Sequence, residues 1–431
     1  METPTSDPVQ QEKPRRLKLL QIMGPGLITG ASDDDPSGIA TYSQVGAQFG
    51  YNLAWTLLFS YPLMAAIQEI SARIGRVTGR GVAGNLHRHY PSWLSYCIVG
   101  MLVLANVINL GADLGAMGAA VKLLISGPAL LYVVLFGVLS AVLEIFTRYA
   151  RYVSILKWLC LSLFSYVICA FVVHLQWKAV ASAVFFPAWS LQSDYIVAVV
   201  AVMGTTISPY LFFWQAQEEV EDEKERVGAF ALTHAPWQAR TEFSRIRIDT
   251  YLGMALSNII AFFIVITTAA TLHAHGHTDI HTSAQAAEAL RAVAGRFTFL
   301  VFAAGIIGTG LLTLPVLAGS AAYAVGEVLT WRVGLARLPL QAKAFYGVIA
   351  VATAIGVGLN FTSIDPVKAL FWSAVINGVV AVPVMIVMMH LSMRKHIMTK
   401  FTLPPVLFWF GWLATLVMSI TVVAMAITWF I

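Results

Sequence analysis

Hydrophobic residues run along this chain in long, nearly unbroken blocks, separated by short polar segments with a strong excess of arginine and lysine. A hydrocarbon core of about 30 Å takes roughly 20 apolar residues per helix. Runs of that kind lie near residues 18–47, 51–76, 94–123, 128–147, 151–176, 195–217, 248–273, 297–330, 341–360, 366–392 and 405–430. They are too long and too continuous for barrel strands, so the pattern predicts an all-α bundle of eleven transmembrane helices. Composition agrees: of 431 residues 58% are hydrophobic and 11% charged, with a mean hydropathy of +0.74. No small-residue cleavage pattern interrupts the first run, which argues against a removable signal peptide.

Charge fixes the expected orientation. Lys13, Arg15, Arg16 and Lys18 precede the first run, and every second loop repeats the basic bias. Of the 27 Lys and Arg residues only Lys122, Lys178, Arg291, Arg296 and Lys368 fall on the other side. This predicts a cytoplasmic N-terminus, an odd number of spans and residence in a bacterial-type cytoplasmic membrane. The net charge of +5 is dispersed over loops, so it reads as topology and not as a nucleic-acid footprint. Cys97, Cys160 and Cys169 all fall in predicted spans without CxxC spacing and carry no disulfide or metal expectation. No obligate protein partner is evident.

Two runs are interrupted. The first carries Ser32-Asp33-Asp34-Asp35-Pro36-Ser37-Gly38 at its middle, and the sixth carries Gly204-Thr205-Thr206-Ile207-Ser208-Pro209. An ionised residue inside a span costs roughly 2.5–3.5 kcal/mol on insertion scales, which marks it as functional by default. Asp35 also suits the role of cap for a helix starting at Pro36, and a helix that starts inside the membrane is a broken helix. Paired interruptions at the first helix of each five-span half are the sequence pointer to the site of an inverted-repeat transporter. Carboxylates, freed carbonyls and the hydroxyls of Thr205, Thr206 and Ser208 at one depth make a site of hard oxygen ligands, suited to Mg, Mn or ferric ions.

The stretch GPGLITGASDDDPSGIATYSQVGAQFGY, continuing through ISARIGRVTGR, resembles the first two helices of the NRAMP family of metal-ion transporters. The resemblance implies two inverted five-helix repeats, expected over 18–177 and 195–393, with an extra helix over 405–431 after a cytoplasmic tail at 1–17. It implies a metal ion as cargo and no cofactor. On the family pattern Asp35 stands in the place of the metal-binding aspartate and Ser32 in that of a backbone-carbonyl ligand. Gly38 replaces the metal-binding asparagine, and Ser208 replaces a methionine that favours softer metals. Tyr210 and Trp214 stand where the family has histidines linked to proton movement, and Ala116 replaces an acidic residue three positions after Asp113. These departures imply a larger, oxygen-rich site and put proton coupling in doubt. They resemble divergent prokaryotic branches, either magnesium transporters or carriers proposed to take iron with citrate.

Other polar residues carry two readings each. Asp113 is either an ion-path residue or a partner for Lys343 or another base. Asn377 either completes the site or makes an interhelical hydrogen bond. Tyr42 and Gln44 are candidates to line the pathway. Glu69 and Glu144, near span ends, are expected to anchor there or to pair with nearby arginines. The tract with His273, His275, His277 and His281, on the predicted outer side, resembles a metal-gathering tract, but its spacing fits no closed zinc site and it reads as a polar loop. EEVEDEKER after the sixth run reads as a solvated helix extension. HExxH, GxSxG and Walker signatures are absent from the sequence. An intramembrane aspartyl enzyme is the rival, but consecutive carboxylates point in different directions and make a poor acid pair. The expectation is therefore transport and not catalysis.

Overall fold

A computed structural model describes residues 25–146, 161–173, 175–280, 282–291, 295–335, 337–362 and 364–429, and these contain no strand. The helices are α1 (Pro25–Asp33), α2 (Pro36–Phe49), α3 (Ala54–Thr78), α4 (Val82–His89), α5 (Ser92–Leu124) and α6 (Ala129–Phe146), then α7 (Phe164–Val172) and α8 (Trp177–Phe185). They continue as α9 (Ser193–Thr206), α10 (Pro209–Glu225), α11 (Ala239–Thr271), α12 (Ser283–Glu288), α13 (Thr298–Val328), α14 (Lys343–Leu359), α15 (Pro366–Met393), α16 (Lys395–Met398) and α17 (Pro405–Thr428). The apolar runs map onto them in order, with α1 and α2 sharing the first run and α9 and α10 the sixth. Among the described residues eight helical stretches are long and apolar enough to cross a bilayer, or nine if α7 and α8 form one span. The chain is a multi-pass membrane protein. The tail at 1–17, the basic residues up to Lys18, Cys160, His281 and the start of the fifth run lie outside the described residues.

Both interruptions fall where proline forces them. Pro36 and Pro209 each open a new helix, a position where a missing N–H costs nothing and the ring fixes a helical φ. The residues before them, Asp35 and Ser208, are extended, with ψ of 170° and 132°, as the steric demand of a following proline requires.

Close backbone contact holds the half-helices in place. A Cβ on Gly30 would lie 2.3 Å from the carbonyl carbon of Gly253, so α1 seats directly on α11. A Cβ on Gly204 would lie 2.1 Å from the Ala374 carbonyl oxygen, so α9 seats the same way on α15. Lipid offers no hydrophobic drive between helices, and small residues that bring backbones together supply dispersion contacts instead.

Ion pairs organise one end of the bundle. Glu69 pairs with Arg73 at 2.7 Å, as its position near a span end leads one to expect. Glu144 accepts from Ser140 at 3.0 Å, and the nearby Arg148 and Arg151 lie outside the described residues. The acidic extension after the sixth run is helical through Glu225 but is not simply solvated. Glu219 is buried and ion-paired to Arg245, while Arg226 bridges Asp222 and Glu242 at 2.9 and 3.0 Å. One face of the extension is thus a network tying α10 to α11.

Candidate substrate site between the broken helices

Asp35 is the N-cap of α2. Its Oδ1 accepts from the Gly38 backbone N–H at 2.6 Å, and its Oδ2 accepts from Asn109 Nδ2 at 3.1 Å. Tyr210 Oη, in the first turn of α10, lies 3.4 Å from Asp35 Oδ2 and 3.3 Å from the Ser32 carbonyl oxygen. That carbonyl, freed by the end of α1, also accepts from Thr313 Oγ1 on α13 at 3.1 Å. Four elements therefore converge on one carboxylate and one carbonyl. Ser32, Asp33, Asp34, Asp35, Thr205, Thr206, Ser208 and Tyr210 are all buried.

The network extends behind Asp35. Ser373 Oγ on α15 lies 2.8 Å from Asn109 Oδ1 and 3.0 Å from Ser37 Oγ, and Ser37 donates to the Leu370 carbonyl at 2.9 Å. Ser37 thus ties the start of α2 to α15. Asp33 and Asp34 face another way: Ser257 Oγ on α11 donates to Asp33 Oδ2 at 2.6 Å and lies 3.1 Å from Asp34 Oδ1. Three consecutive carboxylates divide into one aimed at α5 and α10 and two engaged by α11.

At the second break the polar groups turn inward on their own helix. Ser208 Oγ lies 2.8 Å from both the Gly204 and Thr205 carbonyl oxygens, and Thr206 Oγ1 lies 3.3 Å from the Met203 carbonyl. The Ser208 hydroxyl satisfies carbonyls that the break leaves without helical donors, whereas the Met203 carbonyl also accepts from the Ile207 N–H at 2.8 Å. The expected enlargement of the site at Gly38 is not what the fold provides. A Cβ there would lie 3.3 Å from both Asp35 Oδ1 and the Thr205 methyl. Thr205 and the Asp35 cap have filled the space that a larger side chain would take.

The remaining candidates separate. Asp113, one turn beyond Asn109 on α5, is fully buried with both carboxylate oxygens free of hydrogen bonds. Lys343 is exposed at the start of α14, and no base pairs with Asp113 among the described residues. Asn377 is buried with its Oδ1 unpartnered, one turn beyond Ser373 on α15. Tyr42 is fully buried with a free hydroxyl. Gln44 instead faces the loop after α11, accepting from Ile280 N at 2.9 Å and reaching Asp279 Oδ1 at 3.3 Å. Trp214 packs against Tyr323 at 6.3 Å and against Gly319, where a Cβ would lie 2.7 Å from its ring. His273 Nδ1 lies 2.7 Å from the Ala47 carbonyl and His275 Nδ1 2.6 Å from that of Thr271, so this tract clasps helix ends. Among the described residues no three His, Cys, Asp or Glu side chains gather into a metal-holding group.

Sequence reasoning missed Asn109, Ser373, Thr313 and Ser257. One signal was available for Asn109: it stands four residues before Asp113 in NLGAD, which puts both on one face of a helix.

Comparison with known proteins gives a consistent picture. The chain is 26% identical over 309 residues to the divalent metal cation transporter MntH of Klebsiella pneumoniae, covering 69% of each. It is likewise 26% identical over 307 residues to the protein of that name from Pectobacterium carotovorum, again covering 69% of each. In fold it resembles the Eremococcus coleocola manganese transporter, with a TM-score of 0.72 at 16% identity over 94% of this chain and 86% of that one. The nucleobase-cation-symport-1 transporter Mhp1 in a closed conformation gives a TM-score of 0.56 at 14% identity over 94% and 92%. The fold is accordingly two inverted five-helix repeats whose first helices are broken, plus one further helix. The family described as natural resistance-associated macrophage protein-like, Nramp, matches residues 26–428, and the chain belongs to it.

Proposed function

We propose that the chain carries a hard metal ion, Mg, Mn or ferric iron, across a bacterial-type cytoplasmic membrane by alternating access, its N-terminus inside. The observation that carries this reading is the meeting of the Asp35 carboxylate, the Ser32 carbonyl and Tyr210 Oη at the break between α1 and α2. These are oxygen donors, and no thioether stands at position 208. Oxygen-rich sites suit ions that keep part of their water, whereas sulfur would favour softer metals. The named relatives are a divalent metal cation transporter and a manganese transporter, which supports metal as the cargo.

Each proposed residue has a distinct role. Asp35 supplies the charge, and Asn109 holds its Oδ2 in place. Ser32 offers its carbonyl, while Thr205, Thr206 and Ser208 line the second break and support the ion's water shell. Asp33 and Asp34 set the local negative potential from the α11 side. Asp113, Asn377 and Tyr42 flank the path. Tyr210 and Trp214 do not titrate near neutral pH as histidine does, so the reading is facilitative transport without proton coupling.

A second reading has one supporting observation. Ser208 makes no side-chain cap at the start of α10, which leaves its first N–H groups for a carboxylate ligand, as in a metal–citrate complex.

Uptake into proteoliposomes, with Mg, Mn and ferric ions offered with and without citrate and an internal pH dye, tests both readings. Uptake of free ions without acidification is expected, and Asp35→Ala reduces it to background while still inserting and folding. Transport by that variant at the wild-type rate rejects the site. Uptake only with citrate replaces the first reading with the second.

A further inference from the structure

A polar cavity is lined by none of the residues at the helix breaks. It has a volume of about 500 Å³ and is lined by Arg80, Arg88, His89, His234 and His396, with Glu223 as its one carboxylate. The five basic residues come from three separate segments: the α3–α4 turn and α4, the loop before α11, and α16. All five are exposed, and none has an ion-pair partner among the described residues.

The cavity wall is rigid. Gly79 ends α3 in the left-handed region at φ 65°, and Asn85 Nδ2 donates to Thr78 Oγ1, the Arg80 carbonyl and the Gly81 carbonyl at 2.8, 3.0 and 2.9 Å. Glu327 accepts from Gly81 N and Gly84 N at 2.9 and 2.8 Å, fixing the start of α4 against α13. Arg80 and Arg88 are therefore presented from one anchored unit. The cations crowd one another: partial burial lowers the His89 pKa, and His396, Arg88 and Arg80 lower it further. The His89 and His396 rings are 5.5 Å apart.

Simpler explanations account for part of this only. Cations in the last turn of α4 complement the helix dipole, which explains Arg88 and His89. It leaves Arg80, His234 and His396 unexplained. A metal site would need these imidazoles to gather with a further ligand, and among the described residues no such group exists. An anion resolves the crowding of like charges.

The aromatic residues beside the cavity point to the kind of anion. Trp93 and Tyr96 follow His89 directly in the first turns of α5 and are 69% and 52% exposed, and Trp409 near the start of α17 is 70% exposed. Exposed tryptophan and tyrosine at helix starts mark the headgroup level of a membrane. Lipid phosphate lies at that level, and on the orientation proposed above, on which this inference rests, the cavity opens on the cytoplasmic side, where basic pockets between helices bind lipid headgroups.

We propose that the cavity lined by Arg80, Arg88, His89, His234 and His396 binds the phosphate of an anionic phospholipid headgroup. Glu223 does not oppose this. Burial disfavours its charged form, and the charge it keeps is offset by Arg76, the Ala231 N–H, Lys224 and His234.

The test uses the full chain, purified in neutral detergent, with short-chain phosphatidylglycerol, phosphatidylcholine of the same chain length and soluble glycerol phosphate as probes. Binding is read by native mass spectrometry and calorimetry. Wild-type protein is expected to prefer phosphatidylglycerol, and Arg80→Ala with Arg88→Ala to weaken that binding by about tenfold or more. Lys400→Ala, which removes a cation that does not line the cavity, leaves it unchanged. Should the double alanine variant fail to fold, Arg88→Ala and His396→Ala singly provide the same reading with a smaller loss. Equal affinity for the two lipids, or wild-type binding by folded cavity variants, overturns the proposal. Glycerol phosphate binding as tightly as the lipid also overturns it, because the site then recognises a soluble phosphate. Metal uptake does not enter any of these readouts, so the outcome is independent of the transport reading.

Discussion

At the first break Asp35 turns its carboxylate forward onto the helix it opens, accepting from Gly38 N at 2.6 Å, and presents its second oxygen to Asn109 and Tyr210. At the second break Ser208 turns its hydroxyl backward onto the Gly204 and Thr205 carbonyls of the helix that has just ended, and presents no charge. Both breaks use a proline as first helical residue and an extended residue before it. They differ in where the polar side chain spends its hydrogen bonds. A forward cap leaves freed carbonyls, such as that of Ser32, available to other elements. A backward one closes them off. On the proposed reading, the first break attracts the cation and the second remains neutral beside it.

This asymmetry is broken most directly by exchanging charge at each site. Asp35→Asn keeps the acceptor for Gly38 N and removes the negative charge from a buried cluster. Losing one member of a desolvated charged interaction costs 2–5 kcal/mol or more, so metal uptake is expected to fall by about a hundredfold. Ser208→Ala removes one neutral hydroxyl whose loss costs about 1 kcal/mol, and uptake should change no more than about fivefold. Initial rates in proteoliposomes for the pair check the comparison, and equal losses would refute it.

Asn109→Ala ranks next. It removes the donor to Asp35 Oδ2 and leaves Ser373 Oγ without Asn109 Oδ1. A buried carboxylate oxygen that keeps only the longer contact to Tyr210 loses about 1–3 kcal/mol, which corresponds to a loss of apparent metal affinity of roughly tenfold. Asn109→Asp tests the same position with the opposite sign. A second carboxylate beside Asp35 raises the charge of the site, and binding of Mg should strengthen relative to the alanine variant.

The sequence made one half of this site readable and hid the other. Asp35 and Ser208 announce themselves locally, because a polar residue followed by proline inside an apolar run has few structural uses. The eleven runs were readable for the same reason, since a helix in lipid must satisfy its backbone within itself. Ser373, Thr313 and Ser257 carry no such local mark, and Asn109 has only its spacing to Asp113. Each is a single small polar residue in an apolar helix, indistinguishable from the many Ser and Thr that bond back to their own backbone, as Thr309 does to Gly305 at 3.0 Å. Only the packing of α5, α11, α13 and α15 around the first break separates the two classes. Gly38 shows the converse: its missing side chain suggested open space, and the fold gave that space to Thr205 and to the Asp35 cap.

Ser257→Ala probes the side of the first break that faces away from α10. Its hydroxyl serves Asp33 and Asp34 together, so both carboxylates lose a donor. The expected result is a fall in thermal stability with uptake reduced less than in Asn109→Ala, by about threefold, since the cost of a lost hydrogen bond here is about 1 kcal/mol and does not fall on the carboxylate proposed to bind the ion. A larger uptake defect than that of Asn109→Ala would transfer the ligand role from Asp35 to its two neighbours.

The finest distinction between the breaks concerns metal softness, and Ser208→Met sharpens it. Substitution places a thioether where the neutral break now has a hydroxyl folded back on its own helix. The methionine cannot satisfy the Gly204 and Thr205 carbonyls, so the end of α9 loses its closure while the site gains a soft donor. Thioether ligands favour softer metals over oxygen-preferring ions. Competition uptake with Mg, Mn and Cd should therefore show Cd gaining on Mg by a few fold, with Mn between them. Loss of all transport with the protein still folded would mean that the backward seal at Ser208 is needed for the helix break itself. An unchanged order of preference in an active variant would place position 208 outside the ion's reach, leaving discrimination to the oxygen atoms around Asp35 alone.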